Sequence, residues 1–286
     1  MPELPEVETM RRGLLEICGS AITDLAVPRC DLKPISMSPR LVTFRKRVLG
    51  KNILTIERAG KRVVLRLSNQ DAIVFEPRMT GLVLLADPPT VDHLRCRFDL
   101  QGKRRRQLWY WDRRGLGSVR LFSPAGFERQ FGADKLGPDA LEITAAELQQ
   151  RLEGSRRAVK VALLDQRAIA GVGNLYASEI LHQASVHPEK ACTRLSTPEW
   201  SRIHQSMLQI LEEAIYYEGS TLSDGTYRNA LNKSGGYQNH HRVYDREGKA
   251  CLNCQRGIIR RIVQVQRSTF FCPSCQRQRA PSSKRR

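Results

Sequence analysis

Four cysteines near the C-terminus place the tightest constraint on what this chain can fold into. They form two pairs, Cys251-x-x-Cys254 and Cys272-x-x-Cys275, with seventeen residues between the pairs. Two thiolate pairs at this spacing can close a tetrahedral zinc site across a hairpin. The intervening segment GIIRRIVQVQRSTFF supplies two β-rich runs around a turn. We therefore predict one structural Zn²⁺, because four cysteine ligands leave no open coordination position for catalysis.

The predicted hairpin is rich in arginine, with Arg256, Arg260, Arg261 and Arg267 on or beside it. A rigid hairpin that carries guanidinium groups suits contact with phosphates or with a groove of nucleic acid. A solvated charged hairpin is the alternative. The whole chain is also basic: 47 Lys and Arg face 29 Asp and Glu, which gives a formal net charge of +18 at pH 7. A polyanionic partner would relieve this self-repulsion, so nucleic acid is favoured over a generally basic surface or membrane lipid.

Hydrophobic periodicity divides the 286 residues into several parts. A helix is predicted over residues 3–17, and short β segments follow at intervals of roughly ten residues up to about residue 125, as in an antiparallel sandwich. Capping-box sequences at Thr144–Glu147 and Ser196–Glu199 predict helix starts in the second half. Further helices are predicted over 156–165 and 173–184. The predicted divisions are 1–132 for the N-terminal helix and β-sandwich, 133–143 for a linker, 144–240 for a helical domain with an irregular loop over 220–240, 241–278 for the zinc finger and 279–286 for a basic tail.

The sequence also indicates the compartment. No stretch approaches the ~18–20 uninterrupted apolar residues that a membrane span needs. The N-terminal MPELPEVETM contains acidic residues and no apolar run, which argues against a signal peptide. Four further cysteines are scattered along the chain and are expected to be small buried hydrophobes in a reducing compartment, namely Cys18, Cys30, Cys96 and Cys192. We expect an intracellular protein that does not bind membranes.

The N-terminal sequence PELPEVE allows two interpretations. Pro2 and the glutamates that follow it would suit an ordinary helix start. If Met1 is removed, Pro2 instead carries a free secondary amine, and α-amino groups have a pKa of about 7.7–8. Glu3 and Glu6 would lie on one face of the helix start, next to that amine. An amine nucleophile flanked by carboxylates can attack an electrophilic sugar carbon and form a Schiff base, with a carboxylic acid transferring protons.

A glycine-containing segment, GVGN at 171–174, opens a predicted helix. Glycine lets the backbone approach a ligand closely, and a helix N-terminus offers free N–H groups to an anion. A plain turn between helices is the alternative interpretation. Beside the basic charge and the arginine-bearing hairpin, contact with a DNA phosphate becomes a reasonable hypothesis.

Together these features resemble the bacterial formamidopyrimidine-DNA glycosylase family. The similarity spans essentially the full length and rests on PELPEVE, GVGNLYASE, RVYDREGKAC and QRSTFFCPSC in that order. The resemblance implies an α+β multidomain fold: an N-terminal helix with an antiparallel β-sandwich, then a helix–two-turns–helix domain with a C-terminal zinc-finger hairpin. It also implies a monomer of the bacterial cytoplasm or nucleoid. Its partner would be double-stranded DNA containing damaged bases or abasic sites, with the damaged nucleotide flipped out of the duplex.

The resemblance also implies roles for individual residues. Pro2 would be the nucleophile at C1′ and Glu3 the general acid and base, with Lys61 and Arg267 in the same catalytic set. The residues expected to contact the substrate or the DNA are Glu6, Met79, Arg114, Leu116, Lys160, Asn174 and Tyr244. The loop 220–240 would recognise the damaged base. The implied reaction removes oxidised purines such as 8-oxoguanine and formamidopyrimidines, and β- and δ-elimination follow.

Some positions depart from the family pattern. Glu76 stands where many members have histidine, and a carboxylate close to DNA phosphates would repel them unless a basic side chain pairs with it. In the segment DRRGLG at 112–117, Arg113 replaces a proline and Leu116 replaces an aromatic wedge. Arg114 can still face the orphaned base. The reaction type is therefore better determined than the lesion class.

Three alternatives remain open at this point. The same scaffold could serve a non-enzymatic protein that binds lesions or abasic DNA. An endonuclease VIII-like enzyme would prefer oxidised pyrimidines, although the Pro-Glu-Leu start leans away from it. An RNA-binding or ribosome-associated zinc protein would explain the charge and the finger but not PELPEVE.

Overall fold

The computed structural model describes residues 2–102 and 105–277, and its internal contacts divide the chain into two compact units. Unit 1 comprises Met1–Leu136 and Glu212–Asn239, and unit 2 comprises Gly137–Leu211 and His240–Arg286. The predicted basic tail at 279–286 and the fate of Met1 lie outside the described residues. Within the ranges that are described, no helix combines the length and the apolar character that a membrane crossing requires.

Unit 1 is a sandwich of two sheets with three helices. Its strands are β1 (Ala21–Ala26), β2 (Ser36–Ser38), β3 (Ile53–Ala59), β4 (Arg62–Leu67), β5 (Ala72–Glu76), β6 (Gly81–Leu84), β7 (Leu94–Gln101), β8 (Gln107–Asp112) and β9 (Ser118–Phe122). Its helices are α1 (Leu4–Leu14), α2 (Leu41–Val48) and α3 (Pro124–Phe131). One sheet has the order β1-β7-β8-β6 and the other β2-β9-β5-β4-β3. Neighbouring strands are antiparallel except β2 and β9. The predicted antiparallel sandwich is confirmed.

The core of unit 1 joins α1 to both sheets. Val7, Met10 and Leu14 recur at steps of three and four and are fully buried, so the helix predicted from this spacing is confirmed. They pack in one cluster with sheet residues such as Phe75 and Phe98. Each large apolar side chain buried in this way stabilises the fold by roughly 1.5–3 kcal/mol. The core therefore holds the N-terminal helix firmly in place.

Two helices of unit 1 were missing from the sequence interpretation, which predicted β segments up to about residue 125. Helix α2 buries only Phe44 and Val48, so its apolar periodicity is too sparse to stand out. Helix α3 lies between the last predicted β segment and the linker predicted over 133–143. Its N-cap Ser123 accepts a hydrogen bond from the N–H of Gly126 at 3.3 Å.

Unit 2 contains most of the remaining helices and a hairpin. Its elements are α4 (Ala145–Leu152), α5 (Val159–Leu163), α6 (Asn174–Gln183), α7 (Thr197–Tyr216, as far as Leu211), β10 (Arg260–Gln264) and β11 (Arg267–Phe271). The predicted capping box of α4 is present, since Glu147 N donates to Thr144 Oγ1 at 3.2 Å and Thr144 N donates to Glu147 at 2.9 Å. Helix α5 is shorter than predicted because Ala158 forms a β-bridge with Ala191, which keeps the preceding backbone extended.

The irregular loop at 220–240 belongs to unit 1 by its contacts. Leu85 N donates to Ala230 O at 2.8 Å, and the Asn232 side chain donates to Asp87 O at 2.9 Å. These hydrogen bonds to the segment after β6 group the loop with unit 1 by its contacts. The domain boundary predicted at residue 240 stays a prediction.

Candidate functional site

The start of α1 carries Pro2 and two buried glutamates. Glu3 is the N-cap residue and is 4% exposed, and Glu6 is 3% exposed. The two residues form a capping box in which Glu3 N donates to Glu6 Oε2 at 2.8 Å. Pro2 itself is buried directly before them. The structure thus brings the predicted nucleophile and both predicted carboxylates into one helix start.

Glu6 also fastens the loop at 220–240 to this helix. Its Oε1 accepts the N–H of Ser220 at 2.9 Å. Gly219 has a φ of +79°, and a Cβ at that position would lie 2.9 Å from Glu6 Oε1, so only glycine fits. The hydroxyl of Tyr227 donates to Glu218 O at 3.0 Å. Glu6 therefore sets where the loop predicted to recognise the base leaves the long helix.

Lys61 lies in the tight turn between β3 and β4, directly after Gly60, whose φ is +59°. Arg58 ties this turn to α1. Its Nε donates to Glu8 at 3.1 Å and its Nη1 donates to Gly60 O at 3.2 Å. The predicted catalytic lysine is therefore anchored to the helix that begins beside Pro2.

Glu8 is the hub of this anchor. Burial by itself would raise the pKa of Glu8, but hydrogen bonds from Arg11 and Arg12 and the charges of Arg11 and Arg58 lower it to about 2. Both arginines of α1 approach the carboxylate at 2.8 Å. The carboxylate is therefore ionised throughout the neutral and mildly acidic range, and the anchor persists there.

The side chains predicted to enter the duplex lie on two neighbouring loops. One loop, 77–80, runs from β5 to β6 and carries Met79, which is 38% exposed. The other, 113–117, runs from β8 to β9 and carries Arg114 and Leu116, the latter 37% exposed. Because β5 pairs with β9 and β6 pairs with β8, the two loops cross between the sheets side by side. The predicted set of three is thus brought together at one edge of the sandwich.

Glu76 is neutralised by three arginines. Arg62 and Arg120 donate to its carboxylate at 3.0 and 3.1 Å, and Arg78 lies 3.6 Å away. The ring of Phe131 lies under the Arg62 guanidinium, 5.0 Å from its centroid. Three guanidinium groups around one carboxylate leave the cluster positive. The repulsion of phosphate that the sequence analysis raised for Glu76 is therefore removed by arginine pairing.

In unit 2, Lys160 is 1% exposed and holds Asn174 against the hairpin. Its Nζ donates to Asn174 Oδ1 at 2.6 Å, to Thr269 Oγ1 at 2.7 Å and to Ser268 O at 3.1 Å. The Asn174 amide also donates to Ser268 O at 3.0 Å. The contact of Lys160 with DNA stays a prediction. In the structure Lys160 positions Asn174 next to the strand that begins at the exposed Arg267.

A second buried carboxylate organises the segment around Tyr244. Glu179 is fully buried in α6 and accepts the N–H groups of Arg242, Val243 and Tyr244 at 2.9, 3.0 and 2.7 Å. Burial raises the pKa of Glu179, and the three backbone hydrogen bonds oppose this rise. The ring of Tyr244 packs against Phe270, with centroids 5.2 Å apart. This carboxylate therefore fixes the chain that leads into the zinc-finger sequence.

The four predicted cysteine ligands converge in unit 2. The sulfur atoms of Cys251, Cys254, Cys272 and Cys275 all lie within 4.8 Å of one another, and two of the separations are 3.8 Å. A tetrahedron with metal–sulfur bonds of about 2.3 Å has edges of about 3.8 Å, so this donor set fits one metal ion. The N–H of Gly257 donates to Cys254 Sγ at 3.3 Å, which favours a thiolate there.

Comparison with known proteins identifies the family. A model of the formamidopyrimidine-DNA glycosylase N-terminal domain matches residues 1–119, and a model of the formamidopyrimidine-DNA glycosylase helix–two-turns–helix (H2TH) domain matches residues 136–226. The formamidopyrimidine-DNA glycosylase of Chloroflexus aurantiacus is 37% identical over 277 residues, which cover 96% of this chain and 98% of that protein. The chain belongs to the formamidopyrimidine-DNA glycosylase family.

Solved structures of formamidopyrimidine-DNA glycosylases share the fold. The MutM (Fpg) protein of Thermus thermophilus is 33% identical, with a TM-score of 0.84, and the match covers 98% of this chain and all of that one. A Lactococcus lactis Fpg variant in complex with Fapy-dG-containing DNA is 32% identical, with a TM-score of 0.86, and covers 97% of this chain. Another complex of the Lactococcus lactis protein holds DNA with an abasic site.

Sequence reasoning missed the residues that organise the loops of this formamidopyrimidine-DNA glycosylase family member. Asp112, Glu179 and Glu8 were not proposed as site residues, although each is buried and accepts several hydrogen bonds. One signal was available: Asp112 follows the apolar run LWYW, and Glu179 lies within LYASEIL. An acid inside an apolar run is costly to bury unless donors surround it, so it marks a structural hub.

Proposed function

We propose that the chain is a base-excision-repair DNA glycosylase that removes damaged bases from double-stranded DNA and cleaves the resulting abasic site. The observation that carries the proposal is the start of α1, where Pro2 directly precedes two buried glutamates linked by a capping box. The capping box accounts for the link between the two glutamates, and their position directly beside the Pro2 nitrogen also suits an amine nucleophile with a carboxylic acid that transfers protons. The relatives solved with Fapy-dG DNA and with abasic DNA support DNA as the partner.

The proposed chemistry begins at the sugar. After removal of Met1, the nitrogen of Pro2 attacks C1′, and the glycosidic bond breaks so that the base leaves with the bonding electrons and gains a proton. Opening of the sugar ring gives a Schiff base between Pro2 and C1′, with Glu3 transferring protons. β-Elimination then removes a proton from C2′ and breaks the C3′–O bond, and δ-elimination removes a proton from C4′ and breaks the C5′–O bond, with each phosphate leaving with the bonding electrons. Water then hydrolyses the Schiff base and releases the sugar fragment from Pro2. A gap with phosphate ends remains.

The other site residues would hold the DNA during these steps. Lys61 lies in a turn of unit 1 and Arg267 begins β11 in unit 2, and both would contact the phosphates near the lesion. Asn174 and Tyr244 would grip the backbone, and loop 220–240 would contact the flipped base. Met79, Arg114 and Leu116 would fill the space that the base leaves. Oxidised purines, 8-oxoguanine and formamidopyrimidines, are the proposed substrates.

The metal proposed for the cysteine cluster is one structural Zn²⁺. Four thiolates in a tetrahedron suit Zn²⁺, and they leave no position for water or substrate. When bound, the ion would supply folding free energy to the hairpin rather than chemistry at the sugar. The residues Cys251, Cys254, Cys272 and Cys275 would hold it.

The proposal is tested by borohydride trapping on a lesion panel that contains 8-oxoguanine, formamidopyrimidine, an oxidised pyrimidine and an abasic site. The expected result is a covalent protein–DNA adduct on oxidised-purine duplex, with intact mass showing an N-terminal Pro2. Pro2→Gly should reduce adduct yield by about two orders of magnitude, because a misplaced nucleophile loses its orientation. Pro5→Ala changes a proline in the same helix turn without touching the amine and should preserve trapping.

Other outcomes separate the alternatives. Equal adduct yield from Pro2→Gly would show that the nucleophile is another residue. Tight binding to abasic duplex without nicking or trapping would identify a non-enzymatic lesion-binding protein. Faster excision of the oxidised pyrimidine than of either purine lesion would place the specificity with endonuclease VIII-like enzymes.

A further inference from the structure

The two loops that carry Met79, Arg114 and Leu116 are fastened to one fully buried carboxylate, Asp112. Its Oδ2 accepts the N–H of Gly117 at 2.8 Å, and its Oδ1 accepts the N–H of Arg114 at 3.2 Å. Asp112 directly precedes the loop 113–117, and its side chain binds backbone N–H groups near the beginning and at the end of that loop. The carboxylate therefore fixes the backbone on both sides of Leu116.

The same carboxylate reaches the neighbouring loop through Thr80. The Thr80 hydroxyl donates to Asp112 Oδ1 and accepts the N–H of Arg114 at 3.0 Å. Thr80 is 3% exposed and directly follows Met79. The Asp112 carboxylate and the Thr80 hydroxyl thus link the loop that carries Met79 to the backbone of the loop that carries Arg114. A carboxylate has only acceptor sites, and here it meets only donors, so the cluster is satisfied without a counter-charge among these hydrogen bonds.

Packing leaves these loops little room to adopt another path. The hydroxyl of Tyr110 donates to Glu76 O at 3.0 Å and lies between the two loops. A Cβ on Gly81 would approach that hydroxyl to 2.5 Å, and a Cβ on Gly117 would overlap it more severely. The loop 113–117 contains two glycines and no proline. Its backbone is therefore flexible by composition, and the hydrogen bonds must supply the order.

We infer that Asp112 is a positioning residue that holds both loops as one rigid wedge, so that Met79, Arg114 and Leu116 enter the duplex together. The inference rests on the proposed function, in which these side chains fill the hole left by the flipped base. Chemistry on single-stranded abasic DNA needs no such insertion. Loss of the hydrogen bonds to Asp112 should therefore slow base excision from duplex DNA more than the reaction with single-stranded abasic DNA.

The test compares Asp112→Asn and Thr80→Val with the parent protein. Asparagine keeps the shape but points an N–H₂ donor at groups that are themselves donors, and valine removes the hydroxyl link. Asp71→Asn is the matched control, because Asp71 is also buried in unit 1 but pairs with Arg47, away from both loops. Three quantities are measured: single-turnover excision in duplex DNA opposite each of the four bases, borohydride trapping on single-stranded abasic DNA, and hydrogen exchange of the Arg114 and Gly117 amides.

Asp112→Asn should slow duplex excision by about 10- to 100-fold, the scale of a misplacement near 1 Å, and should flatten the differences between opposite bases. Trapping on single-stranded abasic DNA should stay within about twofold of the parent, because it needs the Pro2 nucleophile in place but no side chains inserted into a duplex. The Arg114 and Gly117 amides should exchange faster, and Thr80→Val should show the same pattern more weakly.

Two results would overturn the inference. One is unchanged amide exchange and duplex excision in Asp112→Asn. The other is an equal loss of activity on duplex and single-stranded DNA in Asp112→Asn. If Asp71→Asn loses the same activity, the cause is general destabilisation of unit 1. Failure of the proposed function has a separate signature, since the parent protein itself would then give neither excision nor trapping, and the exchange measurement would still decide whether Asp112 holds the loops.

Discussion

Unit 1 and the finger of unit 2 hold their functional residues by different means. In unit 1, a core that joins α1 to two sheets supports the strands and the helix, while Glu6 and Asp112 order the loop backbone that leaves them. In the finger, the apolar cluster consists of Val243, Cys251, Ile259, Phe270 and Cys272, so two of its five members are proposed metal ligands. Strand β10 of its hairpin is largely exposed, and β11 buries only Thr269, Phe270 and Phe271. The core of the sandwich buries enough apolar surface to fold without a metal, whereas the small cluster in the finger needs a further source of free energy.

Both regions nevertheless use the same local device. A buried carboxylate accepts backbone N–H groups of a segment that carries functional side chains, Asp112 in unit 1 and Glu179 in unit 2. Such an acid sets the path of an irregular segment that has no strand or helix partner of its own. The comparison therefore separates two contributions: the carboxylates give geometry, and the core or the metal gives stability.

Loss of the metal should have the largest effect on the difference in stability between unit 1 and the finger. Cys254→Ser should remove the ion and unfold the finger, since structural zinc sites contribute apparent free energies of about 10–16 kcal/mol. Affinity for an abasic-analogue duplex should fall by about 100-fold, or about 3 kcal/mol. Elemental analysis and fluorescence anisotropy measure the two effects, with Cys18→Ser in unit 1 as the control. A Cys254→Ser protein that keeps its DNA affinity and thermal stability would show that the finger orders itself without the ion.

Removal of the carboxylate in unit 2 should have the next largest effect. Glu179→Ala would leave three buried N–H groups without an acceptor, at about 1–3 kcal/mol each, so unit 2 should lose about 3 kcal/mol or more. Glu179→Gln keeps one acceptor oxygen and should cost about half as much. Urea denaturation and hydrogen exchange at residues 242–244 measure the loss. Equal stability of the alanine variant would mean that packing, rather than Glu179, orders the segment at Tyr244.

The acid sensitivity of unit 1 should come partly from Glu8. Its pKa is lowered to about 2 in the folded protein, so its contribution is fully present above the ordinary value of 4.5 and is lost as the pH falls from about 4.5 to 2. The difference corresponds to at most about 3 kcal/mol. Glu8→Gln should therefore flatten the fall in unfolding free energy over this range, while Glu212→Gln, which removes an exposed carboxylate, should leave the slope intact. Identical slopes for all three proteins would rule out Glu8 as an acid-sensitive anchor.

The smallest expected effect is a gain in stability at the hairpin tip. Val265 and Gln266 form the turn between β10 and β11, and both have positive φ, +47° and +59°. Glycine adopts this conformation without steric cost, but it also makes the unfolded chain more flexible, so Gln266→Gly should stabilise the finger by at most about 1 kcal/mol. Gln70→Gly, at φ +69° in a turn of unit 1, gives the comparison. Thermal denaturation of both variants shows whether the finger or the sandwich gains more, and a loss of stability at position 266 would contradict the turn assignment.

Several features of the fold followed from local chemistry alone. The capping box at Thr144 and Glu147 closes within three residues, so the sequence contains the whole interaction. The strand periodicity of RVVLRLS and the helical spacing of Val7 and Met10 likewise depend on neighbours in the chain. The short helix α2 was not predicted, because its few apolar residues show no clear helical period.

The sequence by itself determined the cysteine cluster, the N-terminal Pro2–Glu3–Glu6 group, the sandwich and the family resemblance, because each is written in spacing or in contiguous residues. Only the tertiary structure decided that Lys160 is buried, that Glu76 is neutralised by Arg62 and Arg120, and that loop 220–240 packs in unit 1. The hydrogen bond of Glu6 to Ser220 spans 214 residues and that of Thr80 to Asp112 spans 32. Contacts at such separations arise when the whole core folds, so local patterns carry no record of them.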